Sequence, residues 1–141
     1  MNSTTPNKRK FKLASQVLPL LGGISAEVFL RDYWQKKPLL IRNAIAGFTG
    51  PLSKSEVLTV ARRNDAESRL ITRDAHTWRL EHGPFSLSDF RLPKNILWTV
   101  LVQDVQHFSY EGHELLSHFA FLPNARIDDL MVSYAVAGAG V

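Results

Sequence analysis

The chain has 141 residues, 45% apolar and 21% charged, the balance of a globular protein with room for one buried core. It contains no cysteine, which excludes disulfides and thiolate metal sites, and no apolar run long enough to cross a bilayer. The formal charge of +4 belongs to one end: Lys8, Arg9, Lys10 and Lys12 stand among no acids, and the rest carries thirteen groups of each sign.

Residues 1–14 are polar and basic without periodicity, which predicts a disordered leader. A signal peptide is not expected, because Lys12, Ser15, Gln16, Pro19 and Gly22-Gly23 break the stretch behind the basic cluster. A short apolar stretch, Gln16 to Gly23, closes on the glycine pair. Ser25 then caps a helix expected to run to about Trp34, with Glu27 in its first turn and Val28, Phe29, Tyr33 and Trp34 apolar. Pro38 ends it, and Leu39, Leu40 and Ile41 predict a short strand.

Ser53 and Glu56 form a capping box for a helix to about Arg63. Ser68 to Thr72 and Thr77 to Glu81 predict two strands joined by a polar turn through Asp74. In the second, Trp78 and Leu80 alternate with Arg79 and Glu81, a half-buried pattern. His82-Gly83-Pro84-Phe85 predicts a turn. Asn95 to Val105 is apolar and β-branched, as in a buried strand. Glu111 to Phe121 predicts a helix stopped by Pro123. Arg126 to Val136 predicts a last strand, followed by a flexible turn at Gly138 to Gly140. The alternation of short helices and strands gives a mixed α+β domain over residues 15–141.

The five histidines invite a metal hypothesis. A facial iron site needs two imidazoles and one carboxylate, and a strand supplies two of them economically as H-x-D, because i and i+2 share a face. None of His76, His82, His107, His113 and His118 stands in that pattern, and there is no H-E-x-x-H. G-x-S-x-G, a P-loop and G-x-G-x-x-G are also missing. Asp128 and Asp129, neighbours on a strand, would point to opposite faces. One of them would need a partner such as Arg126 or a backbone donor.

Four segments carry a resemblance. Tyr33 to Arg42 (YWQKKPLLIR), His82 to Phe85 (HGPF), Trp98 to Phe108 (WTVLVQDVQHF) and Leu122 to Val141 (LPNARIDDLMVSYAVAGAGV) resemble, in order and spacing, the opening of the JmjC cupin oxygenases. The likeness is greatest to the bacterial branch that hydroxylates an arginine of a large-subunit ribosomal protein. It covers about residues 25–141.

The resemblance implies the N-terminal helices and first strands of a double-stranded β-helix. It also implies Fe(II) and 2-oxoglutarate as cofactors of the complete protein, a ribosomal protein as substrate, a cytoplasmic location and homodimeric complete relatives. The family's iron-binding H-x-D follows the glycine-rich turn matched by Gly138 to Gly140. The expectation is therefore that this chain holds no iron ligand and binds neither cofactor alone. On the strand before that turn, family members line the cosubstrate pocket with inward side chains, and Met131 and Ser133 match those places. A different class of function is also open: a non-catalytic module that holds a ribosomal or RNA partner, with weak RNA contact through the basic leader.

Overall fold

The computed structural model describes residues 17–140; the leader expected over residues 1–14 lies outside them. The described chain falls into two compact units, one of residues 17–49 with 118–127 and one of residues 50–117 with 128–140.

In the first unit, strands β1 (Val17–Leu18) and β2 (Ile24–Ser25) pair antiparallel across a tight turn. Gly22 and Gly23 make that turn with φ of 68° and 88°, left-handed values that glycine adopts without strain. Helix α1 (Ala26–Asp32) starts where Ser25 accepts a hydrogen bond from the Val28 amide at 3.2 Å. Its aromatic side is a cluster: Phe29 stacks on Tyr33 and meets Phe121 edge-on, with centroids 6.4 and 5.9 Å away. The helix ends two residues before Trp34, whose amide bonds back to the Phe29 carbonyl. Leu39 to Ile41 is not a strand. Its residues are of strand type, but no neighbour among the described residues pairs with them, and Leu40 is 76% exposed.

The second unit holds an antiparallel sheet of four strands with helices beside it. Helix α2 (Lys54–Val60) carries the complete capping box, Ser53 to the Glu56 amide and Glu56 to the Ser53 amide. The two bonds from Ser53 hold the Glu56 carboxyl below its usual range. Strands β3 (Ser68–Arg73) and β4 (Trp78–His82) form a hairpin. Its turn is tied by Asp74, which accepts from the His76 and Thr77 amides at 2.8 Å, and these two bonds depress its pKa. Strand β5 (Leu97–Val102) lies on the other side of β3, and β6 (Val132–Ala135) lies beyond β5. The order is β4-β3-β5-β6.

Several expected elements are shorter than their sequence pattern: α2 ends at Val60 rather than near Arg63, and β5 spans Leu97–Val102 rather than Asn95 to Val105. Helix α3 (Tyr110–Ser117) stops at Ser117, whose hydroxyl donates to the Glu114 carbonyl, and does not reach Phe121. The strand expected from Arg126 begins only at Val132, after a one-turn helix at Asn124–Arg126 and an unpaired segment.

The core lies on one face of the sheet. Leu70 of β3, Trp98, Val100 and Val102 of β5, and Val132 and Tyr134 of β6 pack with Val57 and Val60 of α2 and with Ala61, Phe85 and Val105. An aromatic run crosses it: Phe85, Phe90, Trp98 and Tyr134 follow one another at centroid spacings of 5.6, 5.8 and 5.5 Å. The turn after β4 is fitted tightly to this core. Gly83 donates its amide to the Ser68 carbonyl, and a Cβ on Gly83 would stand 2.1 Å from the Ser68 hydroxyl. The half-burial expected for β4 is not found: Trp78 and Leu80 are 55% and 56% exposed, because they pair with Arg73 and Ile71 on the face of the sheet away from the core. The alternation fixed the faces of β4, whereas burial depends on what stands opposite.

Candidate functional site

The sheet's second face carries the candidate residues. Directly opposed residues share a face, so the register defines rows across the strands. One row is His82, Arg69, Leu101 and Ser133; the next is Leu80, Ile71, Thr99 and Ala135. Thr99 and Leu101 are buried at the centre, while Ser133 and Ala135 are exposed at the β6 end. Met131, just before β6, is 48% exposed. Met131, Ser133 and Ala135 thus alternate with Val132, Tyr134 and Val136, which pack on the core.

Beside Met131 lies a polar network with no sequence signature. Arg69 donates through Nη2 to the Gln103 amide oxygen and stands 3.9 Å from the Met131 sulfur. Gln103 donates in turn to Asp129 Oδ2 at 3.4 Å, and the Asp104 backbone amide donates to the same oxygen at 3.3 Å. The partner required by one member of the Asp128–Asp129 pair is therefore a backbone amide and a glutamine, not Arg126. Asp128 is exposed. The two aspartates do not lie in a strand and form no dyad.

Metal chemistry is a separate matter. Among the described residues no three His, Cys, Asp or Glu side chains gather into a metal site. His76, His82, His107, His113 and His118 are all exposed and spread along the chain. These residues do not fit an iron centre by themselves. Anaerobic calorimetric titration of the chain with Fe(II) is expected to show no stoichiometric micromolar binding, and a saturating one-to-one isotherm would contradict this. No described helix is long and apolar enough to cross a membrane.

A mixed antiparallel sheet and helix unit of this form defines a class through its relatives. No protein-family model matches the chain. It is 41% identical over 120 residues to the protein named "Probable ribosomal oxygenase" from Haemophilus influenzae, covering 84% of this chain and 29% of that one. It is 37% identical over 113 residues to the ribosomal protein uL16 3-hydroxylase of Escherichia coli, covering 80% and 30%. The solved structure of YcfD, a ribosomal oxygenase from Escherichia coli, superposes with a TM-score of 0.73 at 36% identity, covering 84% of this chain and 32% of that chain. The same oxygenase, in complex with cobalt and 2-oxoglutarate, matches with a TM-score of 0.72. The chain is homologous to the bacterial ribosomal oxygenases, and it spans about a third of the length of the relatives it matches.

Proposed function

We propose that this chain is the N-terminal part of a JmjC-type double-stranded β-helix oxygenase, which uses Fe(II) and 2-oxoglutarate to hydroxylate a ribosomal protein side chain. The reading takes an arginine of a uL16-like protein as the target, in the cytoplasm. The observation that carries it is the sequence identity to two ribosomal oxygenases across four-fifths of this chain. The structural relative's complex with cobalt and 2-oxoglutarate supports the cofactor class. The reading assigns no iron ligand to the residues of this chain.

In this reading the chain supplies the wall on which the cosubstrate rests. Ser133 offers a hydroxyl donor to a carboxylate, and Met131 offers a polarizable apolar surface beside it. Tyr134 and Val132, on the opposite side of β6, hold that wall against the core. The β6 pleat sets which side chains reach the ligand, and the core sets how firmly they stay there.

The test is a chain extended through an H-x-D segment and a second histidine. It is incubated with uL16-type ribosomal protein, Fe(II), 2-oxoglutarate and oxygen. The expected result is a one-oxygen mass gain on an arginine, with succinate released one for one. An unmodified substrate that the chain nevertheless retains in a pull-down would replace this reading with that of a non-catalytic ribosome-binding module.

A further inference from the structure

We propose that Arg69 and Gln103 are positioning residues: a guanidinium–amide–carboxylate bracket that fixes where Met131 stands on the second face of the sheet. Its role at a cosubstrate wall rests on the oxygenase reading above.

The β5–β6 ladder starts at Val132, paired with Val102, so residues 128–131 have no strand partner among the described residues. Something else must hold them. Leu130 is pinned at both backbone groups, its amide to the Gln106 side-chain oxygen at 2.9 Å and its carbonyl to the Val105 amide at 3.0 Å. Asp129 is held by Gln103 and the Asp104 amide. Met131 is the last residue before the strand, and its sulfur lies 3.9 Å from Arg69 Nη2.

The chemistry of the bracket is directional. A glutamine amide has one acceptor end and one donor end. With its oxygen on the Arg69 cation and its nitrogen on the Asp129 anion, Gln103 has a single satisfactory orientation. The Arg69 side chain leaves β3, passes beside Leu101 and reaches the segment before β6, spanning the central strand. Its planar fork is preorganised, so little freedom is lost per bond formed. The Nε of Arg69 is buried without a hydrogen-bond partner among the described residues. A buried unpaired donor is costly, and an apolar side chain would cover Leu101 without that cost. A guanidinium kept there at such a cost points to a geometric task rather than a packing one.

The test uses the methionine itself. The chain has two methionines, so methyl-labelled protein gives two methionine signals, and Met1 serves as the internal reference. Arg69→Ala and Gln103→Ala are each expected to shift the Met131 methyl signal. Each should also speed hydrogen exchange at the Asp104 amide by about tenfold, as a local opening does. Arg69→Lys, which keeps one donor, should return part of the shift. Arg79→Ala, on the exposed β4, should move neither readout. An unmoved Met131 signal in either alanine variant, or an equal response in Arg79→Ala, overturns the bracket. In the extended protein, both alanine variants should raise KM for 2-oxoglutarate several-fold while the thermal midpoint stays near that of Arg79→Ala. A shifted methyl signal with an unchanged KM would make the bracket purely structural and overturn the positioning role. An extended wild-type protein with no hydroxylation would sink the oxygenase reading instead, and the methyl signal would still decide the bracket.

Discussion

Replacing Gly83 with alanine is expected to lower the thermal midpoint by roughly ten degrees. The reason is local crowding. The new Cβ would stand 2.1 Å from the Ser68 hydroxyl and 3.3 Å from both the Ala61 carbonyl and the Phe85 ring. Ser68 is buried, and its hydroxyl donates to the Ala61 carbonyl at 3.0 Å. To make room, Ser68 must rotate and lose that bond, or the turn must lift off the core. Overpacking of this kind costs about 1–3 kcal/mol, and the lost buried bond adds about 1. The double variant Gly83→Ala with Ser68→Ala removes the clashing oxygen, so its midpoint should lie above that of Gly83→Ala alone. Thermal unfolding of the three variants checks this; strictly additive losses would mean that the two residues do not share the space.

Ser133→Ala in an extended, active protein is expected to weaken the hold on 2-oxoglutarate by about tenfold to a hundredfold. A hydrogen bond to a charged group is worth about 1.5–3 kcal/mol, which converts to that range. Tyr134→Phe should leave the same affinity nearly unchanged. The Tyr134 ring faces the other way, 5.5 Å from Trp98 and with the Lys54 amine 4.8 Å above it, and phenylalanine keeps the ring. The apparent KM for 2-oxoglutarate in both variants is the measurement. A normal value in Ser133→Ala with a raised one in Tyr134→Phe would mean that the cosubstrate lies on the core side of β6.

What the sequence made legible is what local chemistry determines. The Ser53–Glu56 box, the β3–β4 hairpin around Asp74 and the β-branched β5 each declare themselves within a few residues, and each is found, β5 shorter at both ends than its pattern. The alternation of Met131 and Ser133 with Val132 and Tyr134 is likewise a property of the strand alone. Partners were not legible. Leu39 to Ile41 has strand residues but pairs with no strand among the described residues, and Trp78 has the spacing of an inward residue yet faces away from the core. Asp129 to Met131 lie in the segment expected to extend β6, yet groups from elsewhere hold them in place of a ladder. Those side chains stand far off in sequence: Arg69 precedes Gln103 by 34 positions, and Gln103 precedes Asp129 by 26. Two such separations in one network leave no periodic trace. The recognition of the family came from longer segments, whose order and spacing carry information that no single element holds.

The strand order has a kinetic consequence. The β3–β4 hairpin closes over a short turn between Arg73 and Trp78, and β5 adds to it after a modest excursion. β6 joins only after the chain has travelled from Val102 to Val132, and loop-closure entropy rises with that length. Contacts between distant segments form late in folding. Among the described residues β6, like β4, has a single partner, whereas β3 and β5 each have two. The strand that carries Ser133 is therefore expected to join the sheet last, and its amides to exchange with solvent sooner than those of β3 and β5.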